Sequence, residues 1–181
     1  MHQRPASATA DPAYKAGATA LVLAVAAIVA ALAFEHIGGY APCPLCLMQR
    51  YAYYAGVPLL FAALVMVASD RAGWAAFVFF VVGLAFLANA GLGVYHAGAE
   101  WKFWPGPDTC ASVAQDLGGP GGLLKQLETT RVIRCDEAPW TFLGLSFAGW
   151  NVVASLLIAI AAVQAAFAAS AANMRRRMEE I

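Results

Sequence analysis

Residues 72–95 read AGWAAFVFFVVGLAFLANAGLGVY, from Ala72 to Tyr95, without a single charged side chain. A helix needs about 20 predominantly apolar residues to cross a hydrocarbon core of roughly 30 Å. This stretch meets that requirement, and its continuous apolar character lacks the alternation of a barrel strand. Three further stretches qualify: 16–34, 47–68 with Arg50 as its one charge, and a run within 142–173 placed at about 146–169. The composition agrees, since 61% of the 181 residues are hydrophobic and only 12% are charged. A soluble domain would carry roughly a quarter charged residues. Eleven basic and eleven acidic side chains give no net charge, so a nucleic-acid partner has no electrostatic basis.

The expected fold is therefore an all-α membrane protein, a four-helix transmembrane bundle forming one domain over 1–181 in the lipid bilayer. The first span competes with a signal peptide, because Ala31-Leu32-Ala33 resembles a cleavage site behind Arg4 and Lys15. A retained helix is favoured, because the apolar run exceeds the 7–15 residues of a signal core. The turn at 69–73 makes spans two and three an antiparallel hairpin. Loops at about 35–46 and 96–141 then share the opposite side. Arg4, Lys15, Arg71, Arg175, Arg176 and Arg177 lie with the termini and the short turn. Their density places both termini in the cytoplasm and the two longer loops outside. Tyr51, Tyr53, Tyr54, Trp101, Trp104 and Trp140 are expected in an interfacial belt near the outer ends.

All four cysteines fall in those outer loops: Cys43 and Cys46 in the first, Cys110 and Cys135 in the second. Cysteines used as small core hydrophobes would also populate the spans. Confinement to one side implies an oxidising compartment. The Cys43–Cys46 ring closes too short a loop to stabilise much, and its two-residue spacer is that of an exchanging dithiol. Cys43 is expected near a helix N-cap, with Pro44 at the first helical position and Cys46 in the first turn. A thiolate there is favoured by unpaired N–H groups and the positive end of the helix dipole. Zinc held by four thiolates is the competing reading, but structural zinc sites close with a second short-spaced pair, which Cys110 and Cys135 do not form. No metal is expected. Structural disulfides bracing the loops of a non-enzymatic tetraspan protein are the other alternative.

Arg50 follows Cys46 by one helical turn and projects from the same face. It either snorkels to the headgroups or stabilises a thiolate and polarises a bound acceptor. His96, directly after the third span, is read as an interfacial residue or as a donor to a carbonyl lodged between the helices. Glu35 and His36 are expected to be solvated, and Asn89 and Asn151 to bond between helices. Leu123-Leu124-Lys125-Gln126-Leu127 forms a short amphipathic stretch, either on the membrane surface or in a solvated turn.

These residues resemble the bacterial inner-membrane disulfide bond formation protein B (DsbB) family. The likeness rests on Cys43-Pro44-Leu45-Cys46-Leu47-Met48-Gln49-Arg50, on His96, and on Cys135 followed by Trp140-Thr141-Phe142-Leu143-Gly144-Leu145. The position before the arginine can be acidic in that family; here it is Gln49. A vitamin K epoxide reductase-like protein also couples quinones to cysteines, but its loop cysteines precede the CxxC. The resemblance implies a multi-pass inner-membrane oxidase with its active cysteines on the periplasmic side. Its partner would be the periplasmic thiol oxidase DsbA, and its cofactor ubiquinone, or menaquinone under low oxygen. By the same resemblance Cys110 forms the mixed disulfide with DsbA and Cys135 is its partner. Electrons pass to Cys43–Cys46, with Cys46 meeting the quinone as thiolate and Arg50 and His96 beside the ring.

Overall fold

The computed structural model describes residues 11–106, 135–136 and 138–180. Cys110, the Leu123–Leu127 stretch and the rest of 107–134 lie outside the described residues. Four long helices make up the bundle: α1 (Pro12–His36), α2 (Pro44–Ala68), α3 (Ala72–Glu100) and α4 (Phe147–Glu179). Each is long and apolar enough to cross a membrane. A two-stranded hairpin, β1 (Thr141–Phe142) and β2 (Leu145–Ser146), precedes α4. Its antiparallel register pairs Thr141 with Ser146 and Phe142 with Leu145.

Helix starts follow local chemistry. Asp11 caps α1 by accepting from the Ala13 N–H at 2.7 Å, with proline at the first helical position. Ser146 caps α4 by accepting from the Gly149 N–H at 3.2 Å. The Cys43 sulfur caps α2, as the sequence predicts.

The helices run past the apolar stretches that announced them. The largest departure is α4, which continues from about residue 169 to Glu179, and α3 continues from Tyr95 to Glu100. His96 therefore lies inside a helix and is 2% exposed.

The interior is built from small residues. Ala20, Ala24, Ala63, Ala75, Ala162 and Ala165 are buried, whereas Val22, Phe77, Leu84, Ile160 and Phe167 face outward. Water offers no reason for that inversion, but lipid does: association in a bilayer relies on close packing and on polar contacts between helices. Helix α3 packs on α4 and α2, and α1 on α4 and α2. At one end, Asp70 in the α2–α3 turn pairs with Arg176 of α4 at 2.6 Å. Gly17 of α1 approaches Phe79 and Leu64 there too. The start of α1, the α2–α3 turn and the end of α4 therefore share one end of the bundle, and the described cysteines occupy the other.

Candidate functional site

At the cysteine end, Cys43 is 4% exposed and Cys46 half-buried. Both are free thiols, and their sulfurs lie 2.9 Å apart. The N-cap geometry aims the Cys46 backbone N–H at the Cys43 sulfur, at 3.3 Å. His96 Nε2 approaches the same sulfur from α3 at 3.6 Å. The Cys43 thiol is pulled well below its ordinary value, chiefly by the side-chain hydrogen bond with Cys46, against the opposing effect of burial, and further by His96. The charge preferred in the dithiol state thus rests on the capping cysteine.

Cys135 is disulfide-bonded and 1% exposed. It packs with Cys43 and Leu45 in one buried cluster, which Cys46 and Leu92 border. Lys102 holds this part of the second loop in place. Its Nζ donates to the Asp136 backbone carbonyl and carboxylate, both at 2.7 Å. The first cysteine pair and Cys135 of the second loop are therefore brought together.

Arg50 does not reach either sulfur by a hydrogen bond. It pairs with Glu35 of α1, and its guanidinium also donates to the Ala31 carbonyl at 3.5 Å. Glu35 is thereby an ion-pair partner, in place of the solvated end residue expected. Arg50 nevertheless lines the same cavity as both cysteines and His96.

That cavity has a volume of about 460 Å³, within the range of small-molecule sites. Ala27, Ile28 and Ala31 form its apolar wall on α1. Aromatic rings line another part of it: Trp140 lies 4.8 Å from Phe147 and 5.2 Å from Phe34, centroid to centroid. Gln49, Arg50, Tyr53, His96, Glu100 and Asn151 are its polar lining residues. A mostly apolar cavity with a few polar groups suits a flat apolar ring bearing carbonyl oxygens. Arg50 and His96, which the family resemblance sets beside an acceptor ring, both line this cavity.

Two residues of the site escape sequence reasoning. Glu100 is half-buried, accepts a hydrogen bond from Ser146, and places Oε1 3.8 Å from His96 Nε2. Its only signal is the helical spacing of four from His96. Tyr53, assigned to the aromatic belt, is 4% exposed and donates from its hydroxyl to Asn151 Oδ1 at 2.7 Å. Asn89 and Asn151 do bond between helices, to Ser155 and Gln49. The donor atoms of Cys43, Cys46 and His96 lie within 4.8 Å of one another, a set that a thiophilic ion could also use.

Comparison with known proteins gives the same direction. Residues 15–165 match the family model of "Disulfide bond formation protein DsbB". Relatives named "Disulfide bond formation protein B" include one from Acidovorax sp. (strain JS42), 33% identical over 77% of this chain and 82% of its own. Another, from Marinobacter nauticus (strain ATCC 700491 / DSM 11845 / VT8), is 33% identical over 77% and 85%. A third, from Polaromonas naphthalenivorans (strain CJ2), is 30% identical over 79% and 87%. No solved structure matches.

Proposed function

Since the chain belongs to the DsbB family of membrane disulfide bond formation proteins, we propose that it reoxidises a DsbA-type periplasmic thiol oxidase and passes the electrons to a membrane quinone. The observation that carries this reading is the position of Cys43. It shares a buried cluster with Cys135 and, together with Cys46, lines an apolar cavity.

The steps follow from thiol–disulfide exchange, in which a thiolate attacks one sulfur and the other leaves as thiolate. A DsbA thiolate attacks Cys110 of a Cys110–Cys135 disulfide, and Cys135 leaves. DsbA's second thiol then closes its own disulfide, freeing Cys110 as a thiol. The Cys135 thiolate attacks Cys43 of the oxidised first pair, and Cys46 leaves as a thiolate facing the cavity. The released Cys110 displaces Cys43, which restores the second disulfide and leaves the Cys43–Cys46 dithiol. That dithiol is the state described here, with Cys43 as the stabilised thiolate. A quinone supplies a two-electron, two-proton acceptor, so closing Cys43–Cys46 balances formation of a quinol. Arg50 would hold it, with His96 beside the ring and aromatic side chains along the cavity wall. DsbA is itself a strong oxidant, at about −120 mV, so the acceptor must lie higher in potential or be coupled. These roles place the cysteines in the periplasm and the protein in the inner membrane.

Purified protein mixed with reduced DsbA and either ubiquinone or menaquinone should bleach the quinone absorbance one for one with DsbA oxidised. Absence of quinone reduction with both classes would sink the reading. Cys46→Ser should abolish it, and Cys110→Ser should prevent a trapped complex with DsbA. In the same assay Arg50→Ala should raise the quinone KM about tenfold, equivalent to about 1.4 kcal/mol; an unchanged KM removes Arg50 from the quinone site.

A further inference from the structure

A continuous line of polar side chains runs from the cysteine site into the bundle, and quinone reduction as proposed has not used it. From its deep end, Asn89 Nδ2 donates to Ser155 Oγ at 3.0 Å. Ser155 Oγ lies 3.3 Å from the Tyr53 hydroxyl, which donates to Asn151 Oδ1 at 2.7 Å. Asn151 Nδ2 donates to Gln49 Oε1 at 2.7 Å. Gln49 Nε2 then stands 3.0 Å from His96 Nδ1. Among the described residues, every buried side-chain nitrogen and oxygen has a partner.

The line has a direction. With its oxygen taken by Tyr53, Asn151 can offer Gln49 only its amide protons. With its own oxygen taken by Asn151, Gln49 can offer His96 only its amide protons. An amide NH₂ donates and does not accept, so the ring nitrogen facing it must be bare. The neutral ring then carries its proton on Nε2, which faces the Cys43 sulfur at 3.6 Å and Glu100 Oε1 at 3.8 Å. Turning Gln49 alone would set two NH₂ groups face to face. Turning the whole line would leave a neutral ring with a bare Nε2 against the Cys43 thiolate and a carboxyl oxygen. For a neutral ring, only the observed direction satisfies both ends.

We infer that Gln49, oriented by Asn151 and Tyr53, fixes the His96 tautomer with Nδ1 bare and the proton on Nε2, so that His96 Nε2 donates to the Cys43 sulfur in the dithiol state. Gln49 and Asn151 are positioning residues, and their catalytic significance rests on the quinone-linked reading above. The same geometry decides how the Cys43–Cys46–His96 set is used. A metal-bound histidine presents a bare nitrogen to the ion and donates its other N–H to an acceptor. His96 shows the reverse arrangement, which suits a thiolate at Cys43.

The test is nitrogen NMR of ¹⁵N-labelled protein in detergent near neutral pH, with the dithiol reduced, His96 being assigned by its loss in His96→Gln. The wild type should show an unprotonated Nδ1, a protonated Nε2, and a coupling across the hydrogen bond from the Gln49 side-chain nitrogen to Nδ1. A proton on Nδ1, or no such coupling, overturns the inference. Gln49→Glu replaces the donor by an acceptor and should place a proton on Nδ1. If that variant does not fold, Asn151→Asp serves instead: it touches the ring nowhere, yet should turn Gln49 around and protonate Nδ1. An Nδ1 that stays bare in the folded variant also overturns the inference. Because the tautomer is read without turnover, its failure is distinguishable from failure of quinone reduction.

Discussion

The chemistry at Cys43 is decided by which groups face one sulfur atom. The hydrogen bond with Cys46 contributes most to lowering its pKa, ahead of His96. A hydrogen bond to a charged group is worth roughly 1.5–3 kcal/mol, which corresponds to about one to two pH units. With the second pair oxidised, Cys46→Ser and Cys46→Ala each leave Cys43 as the sole thiol, and only serine keeps a donor. Thiolate absorbance should therefore titrate about one to two pH units higher in Cys46→Ala than in Cys46→Ser; equal midpoints would remove Cys46 as the cause. The sign for stability follows, because a lowered thiol value favours the folded dithiol above the ordinary thiol value of about 8.5. That contribution is lost as pH falls from there through the lowered value. Sequence made part of this visible: the N-cap placement of Cys43 could be read from Cys43-Pro44 alone. His96 could not be placed. Its burial depends on α3 continuing to Glu100, and the apolar run, ending at Tyr95, carries no trace of that extension.

Helices are the best-read elements, because a bilayer demands long apolar runs and little else that could be confused with them. How they pack is less visible. Gly56 of α2 sits where an added Cβ would lie 2.6 Å from Phe86 Cε2 on α3. Phe86 is fully buried and stacks edge-on with Tyr53 at 5.1 Å, so it has little room to yield. Gly56→Val should cost about 1–3 kcal/mol by overpacking. Phe86→Ala in the same chain should recover part of it, measured as resistance to unfolding in SDS mixed with a mild detergent. Lack of recovery would mean that Gly56 serves some end other than this approach. The hairpin before α4 was not legible at all. Its turn places Leu143 at φ 51° and Gly144 at φ 80°. Such turns favour Asn or Asp at the first of those positions, so leucine gave no warning of one.

For the whole molecule, the polar line and the cavity are consequences of assembling all four helices, which explains why no single stretch revealed them. Tyr53 and Gln49 come from α2, Asn89 and His96 from α3, Asn151 and Ser155 from α4, and the cavity wall from α1. The two ends of this assembly differ in kind. One carries the dithiol, the cavity and its aromatic lining; the other carries Arg71 and the Asp70–Arg176 pair, followed in α4 by Arg177. Basic residues are retained on the cytoplasmic side, because each is costly to translocate during insertion. The α2–α3 turn should therefore lie inside and the end of α3 outside. Two probes can read this in a chain whose four native cysteines are replaced by alanine. A Ser69→Cys substitution in the turn should resist a membrane-impermeant maleimide in spheroplasts and react only once the membrane is opened. Gly106→Cys, beyond the end of α3, should react in intact spheroplasts. The reverse pattern would place the dithiol on the reducing side, where a quinone-linked oxidase of exported thiols could not meet its partner.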